Sequence, residues 1–384
     1  MKISKSLKVV AAALALSFVA VQPAMAVGLT GAGATFPQPL IDACKAGFAA
    51  DTGHSFTYGG GGSGTGRGNS DKGVGDVNFS DTPHTAATRL ASVIHIPVVA
   101  APIAVMYNLP TSKNKTLNLS ANTLAGIFAG TITKWNDPAI VADNNRSITT
   151  IIYRKNADGS VKKDAKGNPI VLRTQIIQGR YTLPDKPIKV VYRSDSSGTS
   201  ENFTNYLNKS AGSVWTKSKN KVFKDSFPGN INDVANLGRI VGAASSTGVS
   251  QLAGKTPYSI TYAEVNYAAA NNLKIANVIN PAGSSVAPDS TGVGAFLASA
   301  SQDANGFLTY DYATKEKGAY PLGIVSYLLA DTKYPDAAKA KAVKEFATYI
   351  LSTKCSKDVG GALGFSVIDG ELLKKSLAQV AKIG

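Results

Sequence analysis

The sequence predicts an α/β fold with two domains, and three observations support this prediction. The chain has 384 residues, which is enough for two domains of about 100–200 residues each. Short runs rich in β-branched residues alternate with amphipathic stretches along most of its length. Its 44% hydrophobic and 17% charged residues are ordinary for a globular protein, and its 37 glycines indicate many turns.

The N-terminus has the pattern of a secretory signal peptide. Three lysines within the first eight residues precede an apolar run over residues 9–21, and residues 24–26 (AMA) form an Ala-x-Ala cleavage site. The apolar run is shorter than the roughly 20 residues that span a bilayer, and no Cys near the cleavage point offers a lipid anchor. We expect cleavage after Ala26, a mature chain that begins at Val27, and a periplasmic location, with secretion into the medium as the alternative.

The net charge of +15 favours anionic partners. The lysines are scattered and not interleaved with aromatic residues, so we expect no nucleic-acid partner. The three histidines have no ligand spacing with one another or with the cysteines, so we expect no metal and no cofactor. Cys44 and Cys355 form an even pair in an oxidising compartment, which predicts one disulfide, with two buried free thiols as the alternative.

Residues 29–37 (LTGAGATFP) predict a strand and a glycine-rich turn, followed by a helix over 39–50 with Thr35 and Phe36 at its N-terminus. A second strand is predicted over 55–58. The glycine tract that follows, residues 59–68 (GGGGSGTGRG), predicts an irregular loop.

The glycine tract offers backbone amides and hydroxyl groups to an anion. It contains Gly-x-Gly-x-x-Gly, but such a match arises by chance in a run this rich in glycine, and the Gly-Lys-Ser/Thr ending of a nucleotide loop is missing. Ser63 and Thr65 supply the hydroxyl groups of this tract.

Residues 77–83 (VNFSDTP) predict a short strand that ends in a turn. Asp81 in this turn has two interpretations. It is either a turn-forming residue or a carboxylate in an anion site. In the second case it accepts a hydrogen bond from a protonated oxyanion and repels a deprotonated one, which makes it a selectivity filter.

The middle of the chain continues the α/β pattern. Residues 94–107 predict a buried strand that leaves one domain and enters the next, and residues 120–128 predict a helix capped by Ser120. Turn signals between β-rich pieces over 153–183 predict an inserted hairpin.

Residues 193–200 (RSDSSGTS) are the most informative stretch of the sequence. They follow a strand over 189–192 and begin a helix whose apolar residues have helical spacing. Hydroxyl groups, a glycine, free N–H groups and Arg193 together suit a small tetrahedral oxyanion. The alternative is that Ser, Thr and Asp merely cap the helix. After this motif, a strand over 320–329, a helix over 337–351 and a helix from Gly370 complete the chain.

The motifs together resemble one family. Residues 31–37, the glycine tract, residues 79–81, residues 123–140 with Lys134-Trp135-Asn136-Asp137-Pro138, and residues 193–199 resemble the periplasmic phosphate-binding proteins (PstS type) of the high-affinity phosphate ABC transporter. They recur in the family's order across nearly the whole mature chain. The family commonly has Gly where this chain has Ser196, and the 153–183 insertion is a further difference.

The resemblance implies a set of phosphate ligands and a partner for the arginine. The implied ligands are Thr35, Phe36, Ser63, Asp81, Arg193, Ser197, Gly198 and Thr199, with Thr65 as the alternative to Ser63. Asp195 is expected to brace the side chain of Arg193.

The resemblance also implies an architecture and a function. It implies a two-lobed clamshell of the type II-like periplasmic-binding-protein kind, with the ligand cleft between the lobes. Domain I comprises residues 27–100 and 275–384, and domain II comprises residues 101–274 with the hairpin inserted in it. We expect a monomer that is not an enzyme, and that binds inorganic phosphate and delivers it to the permease and ATPase subunits of an ABC transporter.

Three alternatives remain open at the level of the sequence. A binding protein for another oxyanion such as sulfate would keep the hydroxyls and helix termini but lack Asp81. A serine hydrolase based on Ser197 would need a Gly-x-Ser-x-Gly elbow, which this chain lacks around that residue. A secreted interaction protein on the same scaffold would use its basic surface instead of the cleft.

Overall fold

A computed structural model of the protein describes residues 26–85, 87–88, 90–110, 115–164 and 168–384. The predicted signal peptide lies outside these residues, apart from Ala26. Within the described ranges, no helix combines the length and the apolar character needed to cross a membrane.

The strands and helices of the described residues alternate along the chain. The strands are β1 Gly28–Gly33, β2 Ser55–Gly60, β3 Asn78–Ser80, β4 Val93–Asn108, β5 Asn118–Ser120, β6 Ser147–Tyr153, β7 Val171–Gln178, β8 Lys189–Arg193, β9 Ile240–Ala243, β10 Ser259–Glu264, β11 Lys274–Ile275, β12 Asn277–Ile279, β13 Ser285–Val286, β14 Ser301–Gln302, β15 Leu308–Thr309 and β16 Gly323–Asp331. The helices are α1 Gln38–Thr52, α2 Ser63–Asp71, α3 Ala121–Phe128, α4 Pro138–Asn144, α5 Gly198–Ser210, α6 Phe223–Ser226, α7 Ser245–Lys255, α8 Asn266–Ala270, α9 Ser290–Leu297, α10 Ala337–Leu351 and α11 Gly370–Val380. A 3₁₀ turn spans Val234–Asn236, and a π-helical segment spans Thr353–Gly360.

Strand β4 joins the two halves of the main sheet, whose order is β2-β1-β3-β16-β4-β10-β8-β9, with β11 also pairing with β4. Its first part, as far as Pro102, pairs with β16, and its second part, from Ile103, pairs with β10. Both pairings are antiparallel. The change of partner lies beside the domain boundary that we predict at residues 100 and 101.

The burial of β4 follows from its sequence. Its residues are almost all apolar, and every one except Asn108 is buried. A strand that is apolar on both faces needs cover on both faces, and helices α7, α9, α10 and α11 pack against β4. The strand predicted over 94–107 is therefore present with nearly the predicted bounds.

The disulfide predicted from the sequence is present, and it joins α1 to the segment that follows α10. The Sγ atoms of Cys44 in α1 and Cys355 are 2.05 Å apart, and their Cα atoms are 5.6 Å apart. Cys355 lies in the π-helical segment that follows α10. Helices α1 and α10 also contact each other through Phe48 and Phe346, whose ring centroids are 5.2 Å apart.

The prediction of an irregular loop over residues 59–68 is wrong. Strand β2 continues to Gly60, and residues 63–71 form helix α2 although three of them are glycines and two are serines, which favour a helix less than alanine does. Packing explains the difference: a Cβ at Gly66 would lie 2.0 Å from the carbonyl oxygen of Phe79, so only glycine lets α2 approach β3 this closely. The hydroxyl of Thr65 donates to the carbonyl oxygen of Gly61 at 2.8 Å, whereas the hydroxyl of Ser63 donates to Asp81, so Ser63 is the one of the two that contacts another candidate ligand.

The inserted hairpin is present, but its predicted start is wrong. It consists of β6 and β7, which pair antiparallel from Ser147 with Gln178. It therefore begins before residue 153. Strand β7 is exposed along its whole length, and the side chain of Ile176 is 71% exposed.

Candidate functional site

Three chain segments that are distant in sequence meet at one point. These are the N-terminus of α2 with Ser63, the turn after β3 with Asp81, and the N-terminus of α5 with Gly198. A Cβ at Gly198 would lie 2.3 Å from Ser63 Oγ and 2.7 Å from Asp81 Cβ, both closer than real Cβ atoms come. Glycine at residue 198 is therefore required for α5 to reach the other two segments.

Asp81 is held in place by its neighbours. Ser63 Oγ donates to Asp81 Oδ2 at 3.0 Å and accepts from the Asp81 N–H at 3.0 Å. Asn202 Nδ2 donates to the carbonyl oxygens of Asp81 at 2.8 Å and Gly198 at 2.9 Å, which ties the turn to α5. The other carboxylate oxygen, Asp81 Oδ1, is buried and has no hydrogen-bond partner among the described residues.

The surroundings of Asp81 raise its pKa from that of an ordinary carboxyl group to near neutrality. Burial, and after it the negative charge of Glu264, raise the pKa of Asp81 to about 7. The nearby hydroxyls of Ser326 and Ser63 and the charge of Arg193 oppose this shift. Asp81 is therefore a carboxyl group that exchanges a proton close to neutral pH. Ser326 Oγ lies near enough to lower the pKa of Asp81, but it makes no hydrogen bond of normal geometry with Oδ1, which can accept one from a ligand.

Arg193 ends β8 and is almost completely buried, at 1% exposure. Its Nε and Nη2 atoms donate to Asp195 Oδ1 at 2.8 Å and Oδ2 at 2.6 Å, and its Nη1 donates to Ser246 Oγ at 3.1 Å. Burial acts to raise the pKa of Asp195, but the hydrogen bonds and charge of Arg193 outweigh it and hold that pKa below its usual range. The guanidinium is thus fixed by Asp195, as the sequence resemblance implied.

The N-terminus of α5 combines capping with free donors. Ser197 is the N-cap, and its Oγ accepts from the Ser200 N–H at 3.1 Å, so the capping interpretation of this serine is confirmed. The N–H groups of Gly198 and Thr199 are in the first turn, where a helix has no acceptor of its own to offer them. These two amides and the positive end of the helix dipole are suited to an anion.

The side chain of Thr199 contacts a residue that the sequence motifs did not single out. Thr199 Oγ1 donates to Glu264 Oε1 at 2.9 Å, and Glu264 is the last residue of β10. The only sequence signal for Glu264 is a carboxylate at the end of a buried strand. Asn202 and Ser246 were also missed, because each reaches the site through the tertiary fold.

Thr35 and Phe36 lie between β1 and α1, just before the helix begins at Gln38. The ring of Phe36 is buried and packs on Phe365 at 5.4 Å between ring centroids, so its side chain belongs to the core and its backbone is the part available to a ligand. Thr35 Oγ1 is buried without a hydrogen-bond partner among the described residues.

The comparison with protein families assigns the chain. Residues 20–354 match the family described as a PBP superfamily domain. The chain belongs to the PBP superfamily. Among curated PBP relatives, it is 34% identical to Phosphate-binding protein PstS 3 of Mycobacterium tuberculosis over 285 residues. This aligned region covers 72% of this chain and 64% of that protein. It is 29% identical to Phosphate-binding protein PstS of Xylella fastidiosa over 323 residues, and this aligned region covers 83% of this chain and 76% of that protein.

A solved PBP structure has the same fold. It is a high-affinity periplasmic phosphate-binding protein, PfluDING, bound with phosphate, and it superposes with a TM-score of 0.63 at 23% identity over 93% of this chain and 92% of that chain. The architecture is therefore the two-lobed α/β PBP fold expected from the sequence. Within the described residues, no group of three or more His, Cys, Asp or Glu residues is arranged to hold a metal ion.

Proposed function

We propose that this PBP protein binds inorganic phosphate at the site formed by Asp81, Arg193 and the N-terminus of α5. The observation that carries the proposal is the unpartnered, buried Oδ1 of Asp81 beside positive donors. An anion site rarely contains a carboxylate, because like charges repel. A carboxylate is useful there only if the bound anion carries a proton to donate.

Phosphate fits this mixture of donors and acceptors. Its unprotonated oxygens accept from the first-turn amides of α2 at Ser63 and of α5, from the Thr35 hydroxyl and from the fixed guanidinium of Arg193. Its protonated oxygen donates to Asp81. The proposed ligand set is the one implied by the sequence: Thr35, Phe36, Ser63, Asp81, Arg193, Ser197, Gly198 and Thr199.

The relatives support the same ligand and a transport role. The proteins from M. tuberculosis and X. fastidiosa are named as phosphate-binding PstS proteins, and PfluDING contains phosphate. None of these names describes an enzyme. We propose that this chain acts without catalysis, as a periplasmic monomer that delivers phosphate to the permease and ATPase subunits of an ABC transporter.

We propose that binding closes the two lobes. Domain I, residues 27–100 and 275–384, supplies Ser63 and Asp81, and domain II, residues 101–274, supplies Arg193 and Gly198. A ligand that accepts from both lobes favours the closed form, and the permease recognises that form. Strand β4, which exchanges partners between Pro102 and Ile103, is the segment that would bend.

The alternatives receive less support. Sulfate carries no proton at neutral pH, so it would leave Asp81 facing it as an uncompensated charge. A serine hydrolase would need a base beside Ser197, whereas His54 bonds to Glu345 at 3.0 Å and His84 to Asp71 at 3.1 Å. No particular contact favours an interaction protein.

Calorimetric titration of the full mature protein with inorganic phosphate and with sulfate tests the proposal. We expect saturable phosphate binding with one site and at least a tenfold preference over sulfate, about 1.4 kcal/mol or more. The absence of phosphate binding, or equal affinity for the two anions, would contradict the proposed function.

A further inference from the structure

Glu264 is a second buried carboxylate at the proposed site. It is 1% exposed, and its backbone pairs with Ile103 of β4, where that strand changes partner. Its Oε1 accepts from Thr199 Oγ1 at 2.9 Å, and its Oε2 is buried without a hydrogen-bond partner in the described part of the chain. Burying a carboxylate this way costs stability unless a ligand or a neighbour compensates, so Glu264 calls for an explanation.

The hydrogen bond from Thr199 limits what this hydroxyl can do for a ligand. A threonine hydroxyl has one proton to donate and two lone pairs that accept. Because that proton points to Glu264, Thr199 Oγ1 can only accept a hydrogen bond from a bound anion. An ionised Asp81 Oδ1 also only accepts. Each of these two acceptors is satisfied by one proton carried on the anion.

The charges around Glu264 also favour an anion that carries an additional proton. The groups whose charge or ionisation it influences are Asp81, Arg193 and Tyr267. Arg193 already shares its charge with Asp195 through two hydrogen bonds. Three carboxylates therefore surround one guanidinium, which disfavours a doubly charged anion relative to a singly charged one.

We propose that Glu264 determines specificity by turning the Thr199 hydroxyl into an acceptor, so that the site takes phosphate in its singly charged form with two protons. This inference rests on the proposed phosphate binding. Glu264 acts through Thr199, so it is a positioning residue for the ligand.

The proposal has a consequence that a merely structural role for Glu264 would not have. At about pH 8.5 phosphate in solution is mostly doubly charged, because this pH lies well above the pKa of its second ionisation. Asp81, with a pKa of about 7, is ionised at the same pH. Binding the two-proton form then requires uptake of about one proton from the solvent. In Glu264→Gln the amide can donate to Thr199 Oγ1, which frees the hydroxyl proton for the anion and removes one negative charge. That variant should bind the doubly charged form directly.

Proton uptake is measured by titrating the mature protein with inorganic phosphate at about pH 8.5 in two buffers with different heats of ionisation. We expect about one proton taken up per phosphate by the parent and close to none by Glu264→Gln. The parent should also lose affinity on the order of tenfold between about pH 7 and 8.5, because the fraction of phosphate that carries two protons falls faster than the ionised fraction of Asp81 rises, and the variant should lose clearly less.

Two further variants keep the test decisive. Glu345→Gln makes the same change at a partly exposed residue beside His54 and Lys341, and should take up the same proton as the parent. Thr199→Val removes the acceptor hydroxyl and should lower the uptake, so it decides the matter if Glu264→Gln does not fold. Parent-like proton uptake by Glu264→Gln, or by Thr199→Val in its place, would overturn the inference, as would the absence of uptake by the parent. A parent that binds no phosphate at either pH would overturn the proposed function itself.

Discussion

Replacing Gly198 by alanine tests whether the contact between α5 and the two segments around Asp81 is needed for binding. The backbone of Gly198 is not in the left-handed region, so alanine is compatible with the helix. The added Cβ would nevertheless lie 2.3 Å from Ser63 Oγ, 2.7 Å from Asp81 Cβ and 3.0 Å from Asp81 Oδ2. Both neighbours are buried and hydrogen-bonded to each other, so neither can move aside without losing that bond.

The size of the effect follows from this overlap. Inserting one methyl group into a well-packed site typically costs about 1–3 kcal/mol. If the cost falls on the closed, ligand-bound form, the dissociation constant for phosphate should rise by roughly 5- to 150-fold, since each 1.4 kcal/mol is a factor of ten. Under the proposed closure of the two lobes, the ligand-free protein relieves the overlap by opening, so its unfolding temperature should change much less than its affinity for phosphate.

The assay is a phosphate titration of the parent, Gly198→Ala and a control at one pH and salt concentration, with thermal unfolding of the ligand-free proteins. Gly294→Ala is the matched control, because it adds the same methyl group in helix α9 where no atom lies within 4 Å of the new Cβ. The control should bind like the parent. Parent-like affinity in Gly198→Ala would refute the argument that this contact closes the binding site.

Other predictions concern single groups of the site and the disulfide. Arg193→Ala should weaken phosphate binding more than Thr199→Ala in the same titration, because a braced, charged, two-pronged donor outweighs a neutral hydroxyl; equal losses would count against the assignment. Asp81→Asn should narrow the preference for phosphate over sulfate, since it removes the charge and keeps the shape; a variant that rejects sulfate as strongly as the parent would return Asp81 to the role of a turn residue. Because the pKa of Asp81 is raised to about 7 in the folded protein, its contribution to the stability of the ligand-free form is present below about pH 4 and is lost as the pH rises through about 7, and urea unfolding across this range should show a smaller loss for Asp81→Asn. Replacing Cys44 and Cys355 by serine should lower the free energy of unfolding by about 2–5 kcal/mol in urea, and an unchanged midpoint would refute this.

Local patterns in the sequence were enough to predict the elements whose stability depends on neighbouring residues. Helix α10 has the predicted bounds, and β4 nearly so, because each carries its own hydrophobic periodicity or an unbroken apolar run. The pairing of Arg193 with Asp195 was also expected, but from the family resemblance of residues 193–199 and not from local propensity.

The tertiary structure decided the features that depend on residues far apart in the chain. Helix α2 forms in a glycine tract because Gly66 packs on the Phe79 backbone, which no local propensity encodes. The pKa of Asp81 is raised by burial and by the negative charge of Glu264, which is more than 180 residues away in sequence. Neither effect exists until the chain is folded. The sequence therefore determined which residue types the site contains, through short motifs. Only the fold determined which of their protons and charges face one another, because hydrogen bonds and desolvation act over a few ångströms of space and not along the chain.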